Sequence, residues 1–181
     1  MDRRYCRDHF SPGNNGDENL AFFLGRAFGD FEAEFEFRWD VVWTHAGFIF
    51  RASDARHYYM VHFPVNGQQY RVEGFWAAIS KVDENGFFEI MSMQLVHGVS
   101  SGPKLWHQVR LAVSGSEIRL WVDGRPLPVA NDTTYSHPGY VGLSTYGSLG
   151  GGPKSSFRNV RICGRSDPGP DWDVSVRPQR N

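Results

Sequence analysis

The stretch from Leu105 to Arg125 limits the fold more than any other part of this chain. Val109, Leu111 and Val113 alternate with Gln108, Arg110 and Ala112, and Ile118, Leu120 and Val122 alternate with Glu117, Arg119 and Trp121. A period of two sends one set into a core and the other to an outer surface. Ser114-Gly115-Ser116 separates the two runs and Asp123-Gly124 closes the second, and glycine accepts the positive φ that tight turns need. The segment predicts an antiparallel hairpin that buries one face, and a hairpin needs more strands to bury it against.

The rest of the chain supplies them. Residues 20–24, 30–39, 46–51, 58–63, 69–76, 87–96, 140–144 and 157–162 read as short strands, the last with a bulge. No segment holds a helical period. The 20 Gly and 10 Pro among 181 residues match the many turns of an all-β chain, and the 14 Phe and 6 Trp can fill a two-layer core. The reading is one domain at 20–164, an irregular leader at 1–19 and a polar, Pro-containing tail at 165–181. A net charge of -1 gives no basic face for nucleic acid, and no apolar run spans a bilayer. The first residues lack an apolar signal core. The chain as written therefore reads as cytoplasmic, or as secreted if a signal peptide precedes it. Cys6 and Cys163 near the two ends are compatible with a disulfide and equally with two thiols. No close Cys/His cluster points to zinc, and no metal site is assigned.

Several residues stand out for chemistry. Arg51 ends an apolar strand and offers a planar fork to sugar hydroxyls or a uronate, or else a salt bridge, with Asp54 a candidate partner. Tyr58, Met60 and His62 share one strand face; Gln69, Arg71 and Glu73 share another, and together such rows can floor a sugar site. Trp43, Trp76 and Trp121 are candidate platforms for the apolar faces of sugars. Asp30, Glu32, Glu34 and Glu36 alternate on one strand. A retaining glycosidase needs two carboxylates about 5 Å apart. Positions i and i+4 on a strand lie roughly 13 Å apart, so this row reads as a solvated acidic face.

The order Gly29-Asp30-Phe31-Glu32, Ala46-Gly47-Phe48-Ile49-Phe50-Arg51, Tyr58-Tyr59-Met60-Val61, Trp106-His107-Gln108-Val109, Val122-Asp123-Gly124, Gly139-Tyr140-Val141-Gly142-Leu143 and Phe157-Arg158-Asn159-Val160 resembles the concanavalin A-like lectin/glucanase superfamily. Within it the chain looks most like laminin-G-like and 3-keto-disaccharide-hydrolase-type domains, which are similar to family 16 glycoside hydrolases. The resemblance implies an all-β, two-sheet antiparallel jelly-roll β-sandwich with a carbohydrate site on a concave sheet. It implies an oligosaccharide or polysaccharide partner, and it places Trp106 in the core under the hairpin. It implies no cofactor, apart from calcium by superfamily habit. The usual opening strand with Trp and a Gly-x-Leu turn has no clear copy here. The leading expectation is a glycan-binding or carbohydrate-processing-associated module using Trp43, Arg51, Tyr58, His62, Arg71, Glu73 and Trp76. The first alternative is a glycoside hydrolase or 3-keto-disaccharide hydrolase, with Glu73 and His97 as catalytic candidates. The second is a laminin-G-like protein-interaction module.

Overall fold

The computed structural model of the chain describes residues 18–41, 44–64, 74–147 and 155–170. Trp43, Arg71, Glu73 and Cys6, and the segment expected to start a strand at residue 69, lie outside the described residues. The described residues form strands and turns without a helix: β1 (Glu18–Trp39), β2 (Thr44–Ala52), β3 (Tyr58–Pro64), β4 (Trp76–Asp83), β5 (Gly86–Leu95), β6 (His107–Ser114), β7 (Glu117–Val122), β8 (Arg125–Pro126), β9 (Ala130–Asn131), β10 (Gly139–Gly147) and β11 (Ser155–Asp167). The fold is the all-β, antiparallel jelly-roll sandwich that the alternation predicts.

β1 joins the two layers. Its first part, from Glu18 to Phe23, pairs with β10, and β10 leads on to β2, β3, β4 and β5. Its second part, from Phe31 to Trp39, lies between β11 and β6, and β6 leads on to β7 with the short β8 and β9. The first set is the larger sheet and the second the smaller. The sequence reading splits β1 into two strands; the chain runs through without a turn, and the pairing register shifts between Phe23 and Phe28. β4 from Trp76 to Asp83 is absent from that reading, because Ala77, Ala78 and Ser80 dilute its alternation.

The core follows the predicted parity. Phe31, Ala33, Phe35, Phe37 and Trp39 of β1 face Phe48 and Phe50 of β2, Val61 and Phe63 of β3 and Ile79 of β4, with the hairpin residues Val109, Leu111, Val113, Ile118, Leu120 and Val122 in the same cluster. Phe35 stacks on Phe48 across the layers at 5.0 Å between centroids, and Phe37 on Phe63 at 4.5 Å. Each such aromatic pair adds about 0.5–1.5 kcal/mol beyond the area it buries. Among the described residues the one buried indole N–H, that of Trp39, donates to the Phe63 carbonyl at 2.9 Å.

Trp106 corrects the sequence reading. It is half-buried outside the core, with the Arg158 guanidinium 3.9 Å and the Arg38 guanidinium 5.0 Å from its ring centroid. The core position belongs to His107, where β6 begins. Its Nδ1 meets Asp123 Oδ2 at 2.9 Å and its ring lies 4.6 Å from that of Phe75. Cys163 is disulfide-bonded, and the sequence holds one other cysteine, Cys6.

Candidate functional site

The outer face of the larger sheet has two ends of different character. Paired residues of an antiparallel ladder point to the same face. Phe22, Gly142, Ile49, Met60 and Ser80 therefore make one row across it. On one side of that row lie Tyr58, Val82, Ala52 and Tyr140, an apolar cluster completed by Ile49 and Met60. The chain's own C-terminal segment closes this end: the Tyr140 hydroxyl donates to the Pro170 carbonyl at 2.8 Å, and a Cβ on Gly169 would run into the Tyr140 ring.

The opposite end is polar and half-open. Leu20, Ser144, Gly47, His62 and Ala78 form its row, with His45 and Trp76 just beyond. At Gly47 and Gly142 neighbouring groups already fill the space that a side chain would take. A Cβ at Gly47 would come within 2.9 Å of Met60 Sδ and 3.2 Å of Ser144 Cβ. His45 and His62 lie with rings nearly parallel, 19° apart, and centroids 6.4 Å apart. His62 Nε2 is 3.2 Å from Ser80 Oγ. Burial, reinforced by the neighbouring imidazole, pushes His62 down to about 4, and burial alone also lowers His45. Both rings are therefore neutral at pH 7, and each offers one N–H donor and one lone pair. Trp76 is half-buried at the start of β4, paired with Leu95 of β5, on the same face as Ala78 and His62. An indole beside neutral imidazoles and a hydroxyl can hold a molecule with both apolar C–H faces and hydroxyls. Among the described residues, no three His, Cys, Asp or Glu side chains gather to hold a metal ion.

The sequence candidates divide. His62 and Trp76 are together on this face. Tyr58 shares the face but is buried at 2% exposure in the apolar end, edge-on to Phe22 at 6.2 Å. His97 lies in an exposed turn after β5, and no contact brings it to His62. Trp121 lies on the outer face of the smaller sheet under the Arg110 guanidinium at 4.9 Å. Glu32 pairs with Arg110 there, and Glu36 accepts from Arg158 and Asn159, as a solvated charged face does.

Arg51 leaves the proposed sugar surface altogether. A register break separates the Gly142–Ile49 and Tyr140–Ala52 pairs, and Arg51 sits in it at φ 51°, which turns its side chain away from the sheet's outer face. Its guanidinium, 1% exposed, donates from Nε to the Gly29 carbonyl at 3.1 Å, from NH1 to the Tyr135 carbonyl at 3.2 Å and from NH2 to Asp30 Oδ1 at 3.3 Å. The salt-bridge alternative thus describes it, with Asp30 rather than Asp54 as partner. Asp54 instead meets His57. Sequence reasoning passed over Ser80 and Ser144, and left His45 in a loop before the strand. The parity of 45, 47 and 49 along β2 was the signal for His45.

The comparisons with known proteins agree with this architecture. A family model described as the 3-keto-alpha-glucoside-1,2-lyase-like domain matches residues 8–163. The carbohydrate-binding module CBM66 from Bacillus subtilis superposes with a TM-score of 0.65 at 14% identity, covering 87% of this chain and 92% of that one. The Bacillus licheniformis beta-glucanase gives 0.57 at 13% identity, covering 89% and 77%. A Bacteroides ovatus mixed-linkage-glucan GH16 in complex with a G4G4G3G product gives 0.54 at 10% identity, covering 88% and 91%. No curated protein matches the sequence.

Proposed function

The chain belongs to the family of 3-keto-alpha-glucoside-1,2-lyase-like domains, a carbohydrate-binding or carbohydrate-processing β-sandwich module, and from that premise we propose that it holds its glycan on the polar end of the larger sheet's outer face. Trp76 stacks on a sugar ring, His45 and His62 exchange hydrogen bonds with its hydroxyls, and the buried Ser80 hydroxyl backs His62 from beneath. The observation that carries this reading is the neutral, half-buried His45–His62 pair on the same face as Trp76, with Ser80 behind His62. Sugar hydroxyls donate and accept at once, and a neutral imidazole does the same. The chain from Pro64 to Trp76, which carries Arg71 and Glu73, leaves and re-enters the sheet at this end, and Trp43 precedes His45 by two residues. All three belong to the proposal as further contacts.

A glycan array followed by calorimetry tests it. Trp76→Ala and His62→Ala are each expected to weaken binding of the best oligosaccharide about tenfold or more, roughly 1.4 kcal/mol. Binding that both variants leave unchanged would overturn the placement. Affinity is also expected to stay level from pH 8 to about pH 5.5 and to fall as pH approaches 4, where His62 gains its proton and loses its acceptor. The same linkage lowers stability on the acid side, because the unfolded chain takes up this proton near pH 6.5 and the folded chain only near 4.

A second reading is the lyase chemistry in the family's description. In that reaction a base takes the proton from the sugar carbon beside the ketone while the glycosidic C–O bond breaks and its oxygen leaves; His62 has the free lone pair for it at pH 7, though a value near 4 makes it a weak base. Turnover of a 3-keto-glucoside that is lost in His62→Ala, with binding retained, would select this reading over binding alone.

A further inference from the structure

The apolar end of the larger sheet carries a second histidine arrangement that the sugar site does not use. His57 ends the loop between β2 and β3. Its Nδ1 lies 2.8 Å from Asp54 Oδ2 and 2.9 Å from Asp54 Oδ1, and its Nε2 lies 2.7 Å from Glu84 Oε2 in the turn between β4 and β5. Both ring nitrogens thus point at carboxylate oxygens. A carboxylate oxygen only accepts, and a neutral imidazole has one N–H. Both contacts are hydrogen bonds only in the imidazolium; in the neutral ring one becomes a lone pair against a lone pair. Asp54 is fixed besides by the backbone N–H groups of Arg56 and His57, at 2.7 and 2.9 Å.

The other charged and titratable groups around this loop are Arg56 on its own segment, Asp83 beside Glu84 on the β4–β5 turn, Lys81 on β4, and Asp132 and Tyr135 on the segment after β9. Tyr135 donates to the Val82 carbonyl at 2.6 Å, and burial followed by the surrounding carboxylates pushes it up to about 12, so it stays neutral throughout the range of interest. Lys81 donates to Thr134 at 3.3 Å. Burial pulls His57 down, but Glu84 and Asp54 outweigh it and the net direction is upward.

We propose that Asp54, His57 and Glu84 form a proton-operated clasp that fastens the β2–β3 loop to the β4–β5 turn when both His57 nitrogens are protonated, and lets it go when one proton is lost. A raised folded-state value means that the stabilisation is fully present below the unfolded value near 6.5 and disappears as pH rises through the folded one. Tyr58 and Val82, which pair directly in the ladder, flank the clasp, so its release acts first on the apolar end of the outer face.

Hydrogen exchange on the full chain, read by mass spectrometry and corrected for intrinsic rates, tests this at pH 5.5 and 8.5. Segments 53–57 and 83–86 are expected to be about tenfold better protected at the lower pH in the wild type. That difference is expected to vanish in His57→Gln and in Glu84→Gln, whose exposed carboxamide keeps the shape without the charge. An equal pH difference in wild type and Glu84→Gln would overturn the proposal. So would a nitrogen NMR spectrum showing a single His57 N–H at pH 5.5.

Discussion

Replacing Arg51 with methionine is expected to lower folding stability by about 2–4 kcal/mol, because two carbonyls are left without a donor at about 1–3 kcal/mol each. Those carbonyls belong to Gly29, where β1 passes between the sheets, and to Tyr135, in the segment linking β9 to β10. Methionine matches much of the volume of the arginine stem and can donate nothing. The Asp30 contact contributes less, since the Asp30 side chain is 63% exposed and also accepts from the Gly115 N–H at 2.8 Å. Urea denaturation gives the stability change, and a His62 proton NMR titration shows whether the opposite end of the sheet is disturbed. A loss under about 0.5 kcal/mol, the range of an ordinary surface substitution, would mean that the brace is unimportant. A loss of glycan affinity at unchanged stability would return Arg51 to the sugar surface.

Phe37→Ala is expected to be at least as damaging, at about 3–5 kcal/mol. Phe37 is fully buried near the end of β1, stacked on Phe63 of the other layer and within 6.3 Å, centroid to centroid, of Trp39, Phe75, His107 and Phe157. Rings of this size cannot close over the space that a missing phenyl leaves, so both the transfer energy and the void count against the variant. Phe37→Leu keeps most of the volume and is expected to cost less than about 1.5 kcal/mol. Thermal unfolding of the pair separates void from shape; equal losses in both would show that ring contacts, not volume, decide the position.

The core was legible because alternation is a statement about direction. Once Val109 faces inward, Leu111, Val113, Ile118 and their partners follow, and the structure seats all of them in one cluster. The same parity run backwards places His107, not Trp106, inside; the family resemblance argued for the wrong neighbour. Arg51 defeated the rule for a different reason. A single residue at positive φ reverses the side-chain direction at the end of β2, and nothing in the composition of Phe50-Arg51-Ala52 announces it. The site was half-legible. His62 and Trp76 carry chemistry that a reader notices, whereas Ser80, Ser144 and Gly47 matter only through their register with His62, and register across strands distant in sequence cannot be read from one strand at a time.

The course of β1 has a consequence for how the chain is made. Its second part is held on one side by β6 and on the other by β11, and its first part by β10, so its paired neighbours come seventy or more residues later in synthesis. While the ribosome is still delivering them, Phe31, Phe35 and Phe37 can meet Phe50, Phe48 and Phe63 of the opposite layer, but β1 has no strand beside it to hold its backbone. The sandwich therefore closes late and as a whole, with the slow acquisition that distant pairings impose, and the nascent chain must be kept from sticking to others until residues near 160 emerge.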